Sequence, residues 1–205
     1  EVIVKIAGHT GGEKYNGTAQ KVTGYDVDIN NPLYTEDDFE FTGNAVVEET
    51  DAGTYNMGLA EKNFKNISKN FSNVRFEVTD GALTIAKRDL TLTAGSKEKV
   101  YDGNALTDDT VNVSGDGFAP GDQGTYEVTG SQTWVGQSDN EITKVEIKSG
   151  KKNVKDNYNI TLEKGTLTVT DGTPENPVKP SLAVNRQDIQ SRRRYHIYDY
   201  CKEHL

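Results

Sequence analysis

With 205 residues, 33% of them hydrophobic, the chain can build one large domain or two small ones around thin cores. Its net charge of −9 is unevenly placed. Positions 173–205 set Lys179, Arg186, Arg192, Arg193, Arg194 and Lys202 against Glu175, Asp188, Asp199 and Glu203, so the body before them is more acidic than the whole. An acidic body excludes nucleic acid as the expected ligand, since such binding needs clustered Lys/Arg to displace counterions.

Thr, Val, Tyr, Asn and Gly dominate, which favours strands joined by tight turns. No run of about 18 apolar residues offers a membrane span, so no membrane insertion is expected. The opening "EVIVKIAGH" lacks the features of a signal peptide and reads as the start of an internal fragment. Alternation of Val2, Val4 and Ile6 with Ile3 and Lys5 predicts a strand at once. Then comes "KYNG" at 14–17, in which Asn16-Gly17 is a hairpin signal. "AQKVTGYDVDI" and "FEFTGNAVVEET" continue the strand pattern. In "LAEKNFKNISKNFSN", Ala60, Phe64, Ile67 and Phe71 fall at helical spacing and predict a short helix or helical turns. "SNVRFEVTDGALTIA" closes the stretch as two alternating runs around a glycine, the pattern of a hairpin.

The same order then recurs. Leu90, Leu92 and Ala94 begin it, "VYDG" at 100–103 answers "KYNG", and Val128-Thr129-Gly130 answers Phe41-Thr42-Gly43. "DNYNITLEKGTLTVT" matches the first closing segment, with Val74/Tyr158, Phe76/Ile160, Val78/Leu162, Gly81/Gly165 and Leu83/Leu167 in step. A motif recurring at domain-sized spacing points to repeated architecture. The expected organisation is a first β domain at 1–87, a second at 88–171, a Pro-rich linker at 172–180 and a helical tail at 181–205. Each domain is expected to be a small Ig-like sandwich, with a β-grasp fold as the alternative. A junction at 86–90 without a linker should restrict hinge motion and give a rod. The tail holds an Arg triplet and Cys201, the chain's one cysteine. A native linker and an appended foreign segment both fit it, and the break in composition favours the second.

These ordered motifs resemble the tandem extracellular repeats of large Gram-positive surface proteins, with "KVYDGNALT" and "NYNITLEKGTLTVT" similar to YDG/MBG-type repeats. The resemblance covers roughly 1–171. It implies a stalk or adhesin module displayed outside the cell on the bacterial wall, beside other repeats of the same parent protein. It also implies host glycan or mucin as a partner.

The residues themselves supply little chemistry. The body has one histidine, His9, and no cysteine, so nucleophile systems lack their members and no enzyme is expected. Glu36-Asp37-Asp38 and Asp108-Asp109 lack the spacing of a calcium loop, and Gly115–Gly124 lacks a phosphate-binding signature. No catalytic, cofactor-binding or metal-binding set is therefore expected. A Lys–Asn isopeptide bond would need a buried Lys, Asn and acid together, which spacing alone does not place. Tyr15, Asn16, Gly17, Tyr101, Asp102 and Gly103 read as structural turn motifs, each Tyr packing at the edge of a small core. For direct glycan contact the candidates are the aromatics Trp134, Tyr34 and Tyr126. An exposed Trp134 would favour binding and a buried one a spacer.

Overall fold

The computed structural model describes residues 1–173 and 176–177. Alternation places Val2, Val4 and Ile6 inside the first strand, with Lys5 outside. In the first half the strands are β1 (Val2–Gly8), β2 (Thr10–Gly11), β3 (Gln20–Thr23), β4 (Tyr25–Ile29), β5 (Phe39–Phe41), β6 (Val46–Glu49), β7 (Gly53–Asn56), β8 (Phe64–Asn66), β9 (Val74–Thr79) and β10 (Ala82–Ile85). The second half contributes β11 (Arg88–Ala94), β12 (Lys97–Val100), β13 (Val111–Gly115), β14 (Asp122–Thr129), β15 (Gly136–Ser149), β16 (Lys152–Asn153), β17 (Tyr158–Glu163) and β18 (Gly165–Thr170). A short pair, β19 (Gly172–Thr173) with β20 (Asn176–Pro177), follows.

The two halves repeat one topology. Sheet β4-β1-β9 corresponds to β13-β11-β17, and β2-β10-β7 to β12-β18-β15 with β14 added beyond. Smaller pairs β3-β6 and β5-β8 complete the first half. Among the described residues, no ladder joins a strand of one half to a strand of the other.

The closing segments are not hairpins. β9 and β10 form one extended run that lies parallel to β1 and β2 in an unbroken register: Val2 opposite Val74, Ala7 opposite Thr79, Gly11 opposite Leu83, Lys14 opposite Ala86. β17 and β18 do the same against β11 and β12, from Arg88 opposite Tyr158 to Val100 opposite Thr170. The glycines are there for close approach, not for a turn. A Cβ on Gly8 would strike the Gly81 backbone, and one on Gly165 would strike the Ala94 and Gly95 carbonyls.

These parallel pairs make the sheets mixed, unlike the antiparallel sheets of the Ig-like sandwich expected. The crossing helix that a β-grasp fold would require is not formed either. Residues 60–71 carry a 3-10 turn at Glu61–Asn63 and then β8. Phe64 is buried but Ile67 is exposed, so the helical spacing marks no common face. Asn66 breaks the helix by bonding locally: its Oδ1 accepts from Ser68 N at 3.0 Å and its Nδ2 donates to Phe71 O at 2.6 Å. The expected helical tail at 181–205 lies outside the described residues.

Three apolar clusters run along the chain, and the central one spans the boundary near residue 87. The first contains Val2, Val4, Ile6, Tyr34, Phe39, Met57, Leu59 and Phe64 of the first half. A central cluster joins Tyr15, Leu83 and Ile85 of the first half to Leu90, Leu92, Ala119, Ile147, Val154 and Tyr158 of the second. The third is small: Leu106, Leu167 and Val169, with Tyr101 against them.

Candidate functional site

The most heavily built polar arrangement lies where the halves meet. Tyr15 is 1% exposed, its ring edge-on to Tyr158 with centroids 5.7 Å apart. Both hydroxyls donate to Oδ2 of the buried Asp122, at 3.1 Å from Tyr15 and 2.6 Å from Tyr158, and Ala119 N donates to the Tyr158 hydroxyl at 2.9 Å. Burial, and then the Asp122 charge, push the Tyr15 hydroxyl up to about 12. Burial and the Asp122 hydrogen bond raise that of Tyr158 as well.

Around this centre three further links cross the boundary. Arg88 donates from Nη1 to Tyr15 O at 3.2 Å and from Nε to Gly117 O at 3.1 Å, with Nη2 on Asp116 O, so one guanidinium ties both halves together. Lys14 Nζ meets Asp116 Oδ2 at 2.6 Å. On the far side Lys152 Nζ meets Asp51 Oδ2 at 2.7 Å, Asn157 Nδ2 donates to Asp51 Oδ1 at 3.0 Å, and Ala52 N donates to Asn157 Oδ1 at 2.7 Å. Lys152 holds the Asp51 carboxyl below the usual carboxylate value, and Lys14 does the same for Asp116. Lys152, Asn157 and Asp51 are the residue types of an isopeptide set. The Lys152 side chain is mostly exposed, however, and its amine is not sequestered from water as that chemistry needs. The cluster works as a clamp.

The two Tyr-x-Gly motifs have the same local geometry. Gly17 and Gly103 take φ of 80° and 81°, Asn16 Oδ1 accepts from Thr18 N, and Asp102 Oδ1 accepts from Asn104 N, each at 2.9 Å. These are Asx turns and not hairpins, because the flanking strands pair elsewhere: β3 with β6, and β13 with β11. Tyr15 N and Tyr101 N each donate across the parallel pair, to Ala86 O and Thr170 O, at 2.8 Å. Their surroundings differ. Tyr15 is enclosed by the second half, whereas Tyr101 is partly exposed and stacks on Trp134 at 5.9 Å and 18°.

Of the aromatic candidates, Trp134 is 71% exposed. Tyr34 is buried instead, its hydroxyl donating to Asp38 O and Asn66 Oδ1, so it presents no ring to a ligand. Tyr126 is half-buried beside a depression of about 150 Å³ lined by Thr125, Glu127, Lys144 and Glu146, where Lys144 pairs with both glutamates. The structure brings Tyr101 to Trp134 and leaves Tyr34 and Tyr126 apart from them.

The acidic clusters are taken up locally. Asp38 Oδ2 accepts from Thr35 N at 2.9 Å, and Asp108 Oδ1 accepts from Thr110 N at 3.0 Å. Among the described residues no group of three or more His, Cys, Asp or Glu could hold a metal ion, and no helix is long and apolar enough to cross a membrane.

Comparison with known proteins adds one finding. Residues 3–87 match the family model described as MBG domain, which supports an MBG-type repeat over the first half. No match was found among curated proteins or among solved structures.

Proposed function

We propose that this chain is a non-enzymatic repeat module of a larger bacterial surface protein, displayed outside the cell as part of a stalk or adhesin. Two units, 1–87 and 88–171, are set end to end and hold whatever lies beyond them at a fixed distance and angle. The central apolar cluster carries this reading: Tyr15, Leu83 and Ile85 of one unit are buried in the same core as Leu90, Ala119 and Tyr158 of the next. β10 ends at Ile85 and β11 begins at Arg88, which leaves no linker to bend. Arg88, Lys14–Asp116 and Lys152–Asp51 add directional restraints around that core. The MBG-type match over the first unit agrees with a repeat of a larger protein.

Residual dipolar couplings from the full chain test it. Amides of both units are expected to fit a single alignment tensor. Two tensors of different magnitude would mean independent units, and the rigid-module reading would fail.

A second reading has its own observation. Trp134, exposed and stacked on Tyr101, is the kind of flat aromatic face that packs against a sugar ring, so direct contact with host glycan or mucin is the alternative. Mucin oligosaccharides at millimolar concentration should then quench or shift Trp134 fluorescence in the full chain. An unchanged spectrum would count against it.

A further inference from the structure

The shared topology lets each residue at the internal junction be matched to its counterpart at the far pole of the second unit. Tyr15 N bonds Ala86 O and Tyr101 N bonds Thr170 O, so Tyr101 stands where Tyr15 stands. The preceding residues, Lys14 opposite Ala86 and Val100 opposite Thr170, then also correspond. Gly53 opposite Ile85 matches Gly136 opposite Val169, so Asp51 and Ala52 correspond to Trp134 and Val135. In the first unit all four positions contact the next unit: Lys14 and Asp51 through ion pairs, Tyr15 through Asp122, Ala52 through Asn157. In the second unit the same four positions are Val100, Tyr101, Trp134 and Val135, and three of them are exposed apolar residues.

The core gives the same result independently. Leu83 and Ile85 correspond to Leu167 and Val169, which sit in the third cluster with Leu106 and Tyr101. That cluster is the first unit's share of the central core without the part that the next unit supplies.

The near pole of the first unit shows the converse. Ile3 N donates to Asn30 Oδ1 at 2.9 Å and Asn30 N to Ile3 O, just as Asp89 N donates to Asp116 Oδ2 at 2.9 Å and Asp116 N to Asp89 O. Asn30 therefore stands where Asp116 stands, uncharged, and Leu33 in the same loop is 77% exposed. At the matched positions the inner junction pairs Lys14 with Asp116 and Lys152 with Asp51, whereas the far pole carries Val100 and Trp134 and the near pole carries Asn30. An acid opposite Val100, or a lysine opposite Trp134, would lose its partner on desolvation, so a unit with the second unit's charged entry face fits poorly there.

We propose that the pole formed by Val100, Tyr101, Trp134 and Val135 is a docking face for the entry end of a unit built like residues 1–87, presented by a neighbouring copy of this chain through its Asn30–Leu33 loop. The contact is head to tail, and it rests on the repeat-module reading above.

Trp134 is the chain's one tryptophan, so it reports its own burial. The titration runs to roughly millimolar titrant, the effective concentration of binding modules held together in one assembly. A trace of the full chain is titrated with full-length chain carrying Trp134→Phe, which is silent in tryptophan emission. The expected result is a saturable shift of Trp134 emission to shorter wavelength and a several-fold loss of acrylamide quenching. Leu33→Asp in the titrant should abolish both, and Leu33 is exposed enough for the variant to keep its fold. No shift at millimolar titrant overturns the proposal. A shift that Leu33→Asp leaves intact overturns it too, because the occupant is then another surface. Emission already blue-shifted and protected in the dilute chain would show that the chain's own residues after 173 cover the face, and that result also overturns the proposal. A flat titration alongside a single alignment tensor would sink the docking face alone, whereas two tensors would sink the module reading.

Discussion

Tyr15 and Tyr101 occupy the same motif and make the same backbone bond, yet their truncation should cost very different amounts. Tyr15 is 1% exposed against Tyr158, Leu83 and Leu90. Burying a tyrosine's ~150–250 Å² at ~25 cal/mol/Å² gives a ceiling of ~4–6 kcal/mol, lowered by burial already present in the unfolded chain. Cavity formation raises the cost again, so Tyr15→Ala should destabilise by about 3–5 kcal/mol. Its hydroxyl is only part of this. Tyr158 still donates to Asp122 Oδ2 at 2.6 Å, so Tyr15→Phe should cost about 1–2 kcal/mol. Tyr101 covers three buried residues and is partly open to water, and Tyr101→Ala should cost about 1 kcal/mol. Urea unfolding followed by circular dichroism and by Trp134 fluorescence measures all three. In Tyr15→Ala the dichroism transition should also separate from the Trp134 transition, since only the second unit carries that reporter. Costs for Tyr15→Ala and Tyr101→Ala within about 1 kcal/mol of each other would refute the shared core.

Alkaline pH should weaken the junction. The Tyr15 hydroxyl titrates at about 12 when folded against 10.0 ordinarily, so its contribution is fully present below about pH 10 and is lost as pH rises through about 12; urea midpoints across that range should fall less in Tyr15→Phe. Acid should act at the rim. Asp51 and Asp116 are held below their ordinary value by Lys152 and Lys14, so their contribution is present above about pH 4 and is lost as pH falls below it. The double variant Asp51→Asn, Asp116→Asn should flatten that part of the urea–pH profile. Gly165→Ala drives a methyl into the Ala94 and Gly95 carbonyls and should cost about 2 kcal/mol or more. Gly103→Ala, at φ 81° with open space around it, should cost only about 1 kcal/mol by the same urea assay.

Repetition was plain in the sequence because residues of the same type recur in order. Leu83 and Leu167 are both fully buried, and the aligned pairs Phe76/Ile160 and Val78/Leu162 sit on equivalent strands. Strand partners were not. Alternation says which side chains face inward but not which strand lies alongside, so β9 and β10 around Gly81 carry the pattern of a hairpin although their partner is a distant parallel strand. The helical spacing at 60–71 yielded only the 3-10 turn at Glu61–Asn63: the four apolar residues share no face, and Asn66 bonds its own loop. At the site, Tyr15 and Tyr101 share the Tyr-x-Gly motif, and the preceding Lys14 against Val100 is the one local difference that touches the junction. The residues that enclose Tyr15 are remote, in Asp122 and Tyr158, neither of which stands near it in the chain.

The first and last strands of each unit run parallel, entering at one pole and leaving at the other. Tension applied to the chain ends therefore pulls these strands past one another along their length. Their evenly spaced, slanted hydrogen bonds share the strain together and do not open one at a time. Yielding requires the whole ladder from Val2–Val74 to Lys14–Ala86 to slip as a unit, so forced unfolding is set by one high barrier and a slow escape rate.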